Sequence, residues 1–164
     1  MPRVSITRCE GAGVSSDRID SERLVGEGWT QLSGTHFNET AGPYWVRRED
    51  GVRVVGLLGE ERHGNGYVGT VHGGVLMTFA DIALGMGVVD AADTRDCVTL
   101  QLQMQFTASA PIGSFLTCRP ELVRRTSQIV FMRGLIMAGE RTVASADGMW
   151  KLLDPEKLAA LRRG

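Results

Sequence analysis

Cysteines and long apolar runs are scarce in this chain of 164 residues. The 3 cysteines, Cys9, Cys97 and Cys118, have spacings that suit neither a metal site nor a disulfide framework, which favours a reducing compartment. No apolar run reaches the roughly 18 residues that a membrane-spanning helix needs, and the N-terminus lacks the apolar core of a signal peptide. We therefore expect a cytoplasmic protein with no membrane partner.

Neither charge is in excess, since the chain has 18 basic and 19 acidic residues and a net charge of -1. The arginines are spread along the chain, so nothing in this balance indicates a nucleic-acid partner. The remaining composition is that of a globular protein, with 43% hydrophobic and 23% charged residues. The length suits one domain of ordinary size with a real core.

Two further observations argue against particular classes of enzyme. No G-x-S-x-G stretch occurs, which argues against a hydrolase built on a serine nucleophile elbow. The stretch GNGYVG at residues 64–69 matches G-x-G-x-x-G, but TVHGG intervenes before the next predicted helix and antiparallel-looking strands follow. A dinucleotide site needs the helix to begin at that loop, within a parallel βαβ unit, so we do not expect one.

The hydrophobic pattern divides the chain into a leader, one domain and a tail. Residues 1–28 are polar and weakly periodic, and we expect them to be partly disordered or to form a short helix. Residues 29–153 form the domain. Residues 154–164 are predicted to be a short C-terminal helix, because Asp154 is a good N-cap and Pro155 suits the first helical position.

The domain is predicted to contain a hairpin, one long helix and four further strands, at residues 98–106, 114–125, 128–138 and 142–153. Asp50 and Gly51 form a two-residue turn signal between strand-like runs. Residues 75–92 are almost entirely apolar, which predicts a helix that is buried on most faces. Residues 98–106 alternate strictly between apolar and polar, which predicts a strand with one buried face. A single helix among antiparallel strands is an α+β arrangement, in which a curved sheet wraps the helix.

The stretch TVHGGVLMTFAD at residues 70–81 carries the candidate chemistry. Gly73 and Gly74 would let a substrate approach the unpaired N–H groups at the positive end of the helix, as an oxyanion hole requires. Asp81 lies eight residues beyond Gly73, and a carboxylate in an apolar helix is costly unless it is paired, hydrogen-bonded or functional. The combination suits attack on an acyl group. Taken singly, these residues are equally well explained as loop glycines, a loop histidine at His72 and a structural aspartate.

The stretches HGNGYVGTVHGGVLMTFADIALG and VTLQLQMQFTASAPIG together resemble the hotdog-fold acyl-CoA thioesterases of the 4-hydroxybenzoyl-CoA thioesterase superfamily. The likeness is greatest to the phenylacetate-degradation-type branch, with its N…G…HGG…D signature, and it covers about residues 36–153. It implies one long helix wrapped by a curved antiparallel sheet of five or six strands. It also implies a homodimer joined edge to edge, often paired into a homotetramer, with active sites at the dimer interface.

The resemblance also implies roles for individual residues. Gly73 of one subunit would polarise the thioester carbonyl, and Asp81 of the other subunit would be the general base or nucleophile. His72 would orient the thioester or the loop. Thr99 would position the hydrolytic water, although it lies opposite the apolar series of its strand and needs a bulge or the dimer seam to reach the site. Asn65 would contact the nucleophile region, yet it stands seven residues before His72 where the family pattern has six.

The substrate is expected to be an acyl-CoA thioester. Arg124 and Arg125 lie at a strand connection and would meet the phosphates of coenzyme A, with a solvated basic turn as the alternative. Phe37 and Met77 would wall the acyl pocket. No metal and no cofactor besides the coenzyme A of the substrate is expected. Because a thiol with a pKa near ~8.5 leaves with little acid catalysis, one carboxylate and one oxyanion hole can suffice without a Ser-His-Asp triad.

Two other functions fit the same fold. A hotdog hydratase or dehydratase needs a His-Asp or His-Glu dyad in a different motif, which VHGGVLMTFAD fits poorly. A non-catalytic acyl-CoA-binding or sensing domain would bind without turnover. Regulators of that kind normally carry a DNA-binding segment, and residues 1–28 show no helix-turn-helix pattern. The acyl group, and coenzyme A or acyl carrier protein as its carrier, stay open.

Overall fold

The secondary structure comes from a computed structural model that describes residues 19–34, 36–66, 68–154 and 158. Most of the predicted leader and C-terminal helix lies outside these residues. The helices are α1 Ser21–Gly26, α2 Phe37–Ala41 and α3 Gly73–Ala92, with a 3-10 turn at Glu61–His63. The strands are β1 Thr30–Gln31, β2 Tyr44–Glu49, β3 Val52–Leu58, β4 Cys97–Phe106, β5 Phe115–Cys118, β6 Glu121–Arg125, β7 Ile129–Ala138 and β8 Arg141–Leu152.

The strands form one antiparallel sheet in the order β1-β2-β3-β5-β7-β8-β4, with β6 also paired to β7. One long helix lies against this curved sheet, so the α+β hotdog prediction is confirmed. The predicted count of five or six strands is too low, because the sheet has eight. One extra strand is β1, which has only two residues. The other arises because Pro120, which has no N–H for the ladder, divides a predicted single strand into β5 and β6.

The hairpin turn at Asp50 and Gly51 is confirmed. Their φ angles are 50° and 79°, the left-handed pair that a two-residue type I′ turn needs. The turn sets the register of β2 on β3, which runs from Glu49 opposite Val52 to Tyr44 opposite Leu57. Tyr44 is thereby held in the core on the side of α3, where it is 3% exposed.

Helix α3 packs along the sheet and contacts β3, β4, β6, β7 and β8. Its buried residues are Leu76, Phe79, Ala80, Ala83, Leu84, Gly87, Val88 and Ala92. Burial of apolar surface contributes about 25 cal/mol per Å², so this contact stabilises the domain. By length and a mean hydropathy of 1.7, α3 could also cross a membrane, but its packing against the sheet accounts for this composition.

In a single chain α3 is buried on one side, and not on most faces as its composition predicts. A stripe at helical spacing on the other side is only half-buried. We call it the open stripe, and it consists of Thr78, Asp81, Ile82, Gly85 and Val89. This stripe carries the Asp81 carboxylate beside the apolar side chains of Ile82 and Val89.

A bulge changes which side chains of the edge strand β4 face the helix. The register of β4 on β8 shifts between Thr99 and Gln101. Val98 and Leu100 are consequently 44% and 51% exposed, although the alternation over residues 98–106 predicts that they are buried. The extra residue of a bulge reverses the side-chain parity of a strand, which explains why the prediction is wrong for this first half. The residues of β4 that pack on the core are Cys97, Leu102 and Met104.

A second, smaller core ties α1 to the opposite face of the sheet. Asp20 is the N-cap of α1, and its side chain accepts a hydrogen bond from the Arg23 N–H at 2.9 Å. Leu24 of α1 is 1% exposed and packs with Trp29 and Trp45. Because successive residues of a strand point to opposite faces, Trp45 lies on the side away from Tyr44 and α3.

Gly87 marks a close approach of α3 to the sheet, and its substitution tests that packing. A β-carbon there would lie 2.5 Å from both Pro120 Cβ and Met132 Cε. The methionine tip can move but the proline ring cannot, so we expect Gly87→Ala to lower the free energy of unfolding by about 1–3 kcal/mol in urea denaturation. Gly26→Ala is the matched control, because its β-carbon would meet no atom within 4 Å. It should be neutral or slightly stabilising, and equal stability of both variants would contradict the packing.

Candidate functional site

The start of α3 is organised by His72, which is its N-cap. The His72 N–H donates to the carbonyl of His63 at 2.8 Å, and His72 Nδ1 accepts the Gly74 N–H at 2.9 Å. The Gly73 N–H has no hydrogen-bond partner among the residues that the structure describes. Gly73 is therefore the free donor at the positive end of α3, whereas Gly74, also predicted to bind substrate, has its N–H engaged by His72.

Phe106 at the end of β4 is a neighbour of this donor that the sequence analysis missed. A β-carbon at Gly73 would lie 3.4 Å from Phe106 Cζ, and the ring is 54% exposed. Phe106 comes after the bulge in β4 and lies on the same face of the strand as Leu102 and Met104, so its side chain faces the helix. Its position thus depends on the strand register and could not be assigned from alternation alone.

The loop that leads into His72 is held by Asn65. The Asn65 N–H and Nδ2 donate to the carbonyl and Oγ1 of Thr70 at 3.0 and 3.2 Å, and Asn65 Oδ1 accepts the Val68 N–H at 3.4 Å. The Val71 N–H then donates to the carbonyl of Ala110 at 2.8 Å. In a single chain Asn65 thus fixes the approach to the HGG stretch, and its contact with the nucleophile region stays a prediction.

His63 supports the same loop from the core and was also missed by the sequence analysis. It is the one polar residue classed as buried among the described residues, at 3% exposure, and its Nδ1 accepts the Glu60 N–H at 3.1 Å. Burial, and to a smaller extent the charge of Arg62, lower the pKa of the His63 imidazole, so the ring is neutral at neutral pH. Its role is structural support of His72, whose N–H it accepts.

Asp81 lies on the open stripe and is oriented by Thr99. Thr99 Oγ1 donates to Asp81 Oδ1 at 2.7 Å. This bond depends on the bulge, which turns Thr99 toward the helix. Asp81 Oδ2 accepts no hydrogen bond from the described residues, and the side chain is half-buried, so one oxygen is available to a ligand or water.

Two other groups lie close enough to Asp81 to respond to its charge. Burial, and then the charge of Asp81, raise the pKa of the Tyr44 phenol to about 12. Burial raises the pKa of the Cys97 thiol, and the charges of Asp81 and Asp96 raise it further. Burial also raises the pKa of the Cys118 thiol to about 12. Because a thiol must ionise to be a good nucleophile, Asp81 is a better reactive group here than either cysteine.

Gly73 and Asp81 are too far apart to act on one carbonyl within a single chain. Eight residues separate them, which corresponds to ~12 Å along a helix that rises ~1.5 Å per residue. An oxyanion donor and an attacking group must both lie within about 3 Å of the reacting atoms. A single chain therefore does not bring these two candidate groups to one reacting carbonyl.

The other predicted binding residues are dispersed. Met77 lies on α3 and is half-buried, whereas Phe37 at the start of α2 is 64% exposed and encloses nothing in a single chain. Arg125 donates to the carbonyl of Ala91 at 2.8 Å, near the C-terminal end of α3 where a cation is favourable. Arg124 is exposed on β6. Arg125 thus has a structural role in this chain, and the binding roles of all four stay predictions.

Comparisons of the sequence with known proteins point to one family. The Thioesterase superfamily matches residues 68–145. A Pseudomonas aeruginosa protein named "Putative esterase PA0474" is 34% identical over 114 residues, which make up 68% of this chain and 84% of that protein.

Solved structures agree in fold. A variant of phenylacetic acid degradation protein PaaI from Thermus thermophilus has 24% identity and a TM-score of 0.62, over 71% of this chain and 98% of that one. A hypothetical thioesterase from Streptococcus pneumoniae, solved with coenzyme A, has 27% identity and a TM-score of 0.58, over 66% of this chain and 86% of that one. Because the PaaI variant is only 24% identical to this chain, its likeness speaks for the fold alone.

The cap made by His72 can be tested by its effect on stability. His72→Ala removes the acceptor of the Gly74 N–H, so we expect the free energy of unfolding to fall by about 0.5–2 kcal/mol. His72→Asn is the matched control, since asparagine is a preferred N-cap and should retain most of the stability. Urea denaturation of the three proteins measures the difference, and equal losses in both variants would rule out a capping role.

Proposed function

Because the chain belongs to the thioesterase superfamily, we propose that it hydrolyses an acyl-CoA thioester to a free acid and coenzyme A. The observation that carries this proposal is the pairing of a free Gly73 N–H at the start of α3 with an Asp81 carboxylate that Thr99 orients. The Streptococcus pneumoniae relative was solved with coenzyme A, which supports coenzyme A as the carrier of the acyl group.

The proposed reaction needs one donor and one carboxylate. The thioester carbonyl oxygen accepts a hydrogen bond from the Gly73 N–H, where the helix dipole favours the negative charge of the tetrahedral intermediate. Asp81 takes a proton from a water molecule as the water oxygen bonds to the acyl carbon. The carbon–sulfur bond then breaks, and the proton passes to the departing thiolate. Direct attack by Asp81 is the second route that this geometry allows, and neither route requires a metal or an added cofactor.

We place the active site between two copies of the chain, with Gly73 from one and Asp81 from the other. The ~12 Å between these residues along α3 supports this arrangement, since it prevents one chain from completing the site. The open stripe of α3 and the edge strand β4, with Val98 and Leu100 exposed, are the apolar surfaces on which a second copy would pack. The assembly we propose is a homodimer joined edge to edge, which in turn pairs into a homotetramer.

The substrate would extend from this site in two directions. Met77 lies on α3 between the two functional residues and is half-buried, so it can line the acyl group. The Arg124 guanidinium makes no hydrogen bond or ion pair with any described residue and is available to the phosphates of coenzyme A. Arg125 is a weaker candidate for these phosphates, because its guanidinium already binds the carbonyl of Ala91.

The role of Asp81 is tested by thiol release from a panel of aromatic and aliphatic acyl-CoAs and an acylated carrier protein. We expect Asp81→Asn to lower kcat by ~10² or more while the protein stays folded, because the amide can neither accept the proton nor attack. The panel ranks the acyl groups and carriers at the same time.

Asp90→Asn is the control, because Asp90 is a second carboxylate of α3 that pairs with Arg53 at 2.7 Å. This partly exposed ion pair contributes little, so kcat should stay within about twofold of wild type. If wild type and Asp81→Asn are both inert yet bind acyl-CoA, the chain is a binding domain and the hydrolase proposal fails.

The two-chain site is tested by mixing two inactive variants. Gly73→Pro removes the donor, and proline is tolerated at the first helical position after the extended His72, whose ψ is 138°. A purified hybrid dimer of Gly73→Pro with Asp81→Asn contains one intact and one doubly defective site. We expect it to recover about half of the wild-type activity, as two-fold symmetry requires.

The two homodimers of the variants serve as controls and should be inactive. If each site lay within one chain, the hybrid would be as inactive as they are.

A further inference from the structure

A cleft near the C-terminal end of α3 is lined by arginines, and no acidic residue lines it among those that the structure describes. We call it the arginine cleft. Its walls come from β1, the β2–β3 hairpin and the loop between α3 and β4, and its volume is about 360 Å³, which suits a small molecule. The lining side chains that matter here are Leu32, Val46, Arg48, Arg53 and Arg95. The cleft is thus a basic surface in a chain whose net charge is only -1.

Two of these arginines lie side by side on the β2–β3 hairpin. Arg48 is directly opposite Arg53 in the register, and both approach the same oxygen outside the cleft, Asp90 Oδ1, at 3.6 and 2.7 Å. Like charges directly opposite each other destabilise a sheet, and one carboxylate cannot neutralise two guanidiniums. The negative end of the α3 dipole is already matched by Arg125, which donates to the carbonyl of Ala91 at 2.8 Å. The pair therefore retains an excess of positive charge.

Arg95 adds a third guanidinium to the cleft, and this one has no partner. Arg95 is exposed in the loop after α3, and its side chain makes no hydrogen bond or ion pair with any described residue. Arg47 also lines the cleft, but its guanidinium is engaged by Glu49 and lies 4.6 Å from the centroid of the Trp29 ring. Three guanidiniums therefore remain for a ligand, those of Arg48, Arg53 and Arg95.

This arrangement suits a phosphate group better than a single carboxylate. A phosphate ester carries about -1.5 to -2 charges at neutral pH and offers three strong acceptor oxygens, whereas a carboxylate carries one charge. Each guanidinium can donate two parallel hydrogen bonds to such oxygens. Leu32 and Val46 pack against the main core and form an apolar wall beside the arginines, against which the organic part of a ligand can pack.

We propose that the arginine cleft binds the phosphate group of a small organic phosphate through Arg48, Arg53 and Arg95. Two sources share this chemistry, namely the phosphates of coenzyme A and a free phosphorylated small molecule. The site does not include Arg124, Gly73 or Asp81. The inference concerns binding alone, so it holds whether or not the chain hydrolyses a thioester.

The test compares the melting temperatures of wild type and Arg95→Gln in inorganic pyrophosphate and in sodium chloride of the same ionic strength. Pyrophosphate should raise the wild-type value by about 2–4 °C over chloride, because a ligand that binds the folded protein stabilises it. In Arg95→Gln this rise should shrink by about half or more. In chloride the two proteins should melt within about 1 °C of each other, because Arg95 has no partner to lose.

A second variant and a matched control complete this test. Arg48→Gln should also reduce the rise, each protein being compared with its own value in chloride. Arg133→Gln is the control, because Arg133 is an exposed arginine of β7 that pairs with Glu121 at 2.8 Å and does not line the cleft. It should keep the full rise. An equal rise in all four proteins would overturn the proposal, as would a wild type that neither pyrophosphate nor coenzyme A stabilises.

Coenzyme A in place of pyrophosphate identifies the source of the phosphate. If its stabilising effect also shrinks in Arg95→Gln, the cleft binds coenzyme A, and the KM for acyl-CoA should rise about tenfold while kcat stays within about twofold. If its effect is unchanged while that of pyrophosphate is lost, the cleft serves a free phosphorylated compound. Both results support the site.

The same measurements separate failure of this inference from failure of the proposed function, because melting needs no turnover. A protein that hydrolyses no acyl-CoA but shows the pyrophosphate effect and its loss in Arg95→Gln would retain the arginine cleft and lose only the hydrolase proposal. An active enzyme in which Arg95→Gln, Arg48→Gln and Arg133→Gln all respond to pyrophosphate like wild type would overturn the inference and leave the proposed function intact.

Discussion

The hydrogen bond from Thr99 to Asp81 is the interaction on which the candidate site depends. A carboxylate on a core helix is costly unless a donor satisfies it, and this bond supplies that donor at 2.7 Å. The bond exists because β4 is bulged at Leu100, so that Thr99 turns toward α3 while Leu100 turns away. In the order of the sheet β4 is an edge strand paired with β8, and bulges are tolerated best at such edges. The irregularity of one strand thus creates the environment of one side chain.

At the N-terminus of α3, neighbouring groups form separate hydrogen bonds. His72 uses its side chain to cap Gly74 and its N–H to bind His63, which leaves the Gly73 N–H unbound at the positive end of the helix. Asn65 holds the loop that delivers these residues. These hydrogen bonds hold the residues around the Gly73 donor in place without a ligand, and such preorganisation is what makes electrostatic stabilisation of a transition state effective.

How much the sequence can predict follows from how local each feature is. The turn at Asp50 and Gly51, the apolar span of α3 and the start of that helix at the HGG stretch depend on neighbouring residues, and these predictions agree with the structure. The division of one predicted strand into β5 and β6 also has a local cause, Pro120. The residues on both sides of Pro120 are strand-like, however, so the sequence predicts one continuous strand. The position of Phe106 beside Gly73 has no local signal, because the two lie 33 residues apart and only the register of β4 brings them together. For Thr99, strict alternation predicts the face away from the helix, and the bulge in β4 is what brings its hydroxyl to Asp81.

A single chain carries three features that one explanation unites. The open stripe of α3 carries Ile82 and Val89 and is only half-buried. The edge strand β4 exposes Val98 and Leu100, and Gly73 lies ~12 Å along the helix from Asp81. A second copy packed on these surfaces would cover the stripe, occupy the edge and bring the free donor of one helix to the carboxylate of the other. Burial in that interface would also remove water from around Asp81 and strengthen each electrostatic interaction there. In the proposed assembly, pairing of the chains is therefore part of the catalytic apparatus, because it supplies both the missing partner and the low-dielectric surroundings in which one N–H and one carboxylate suffice.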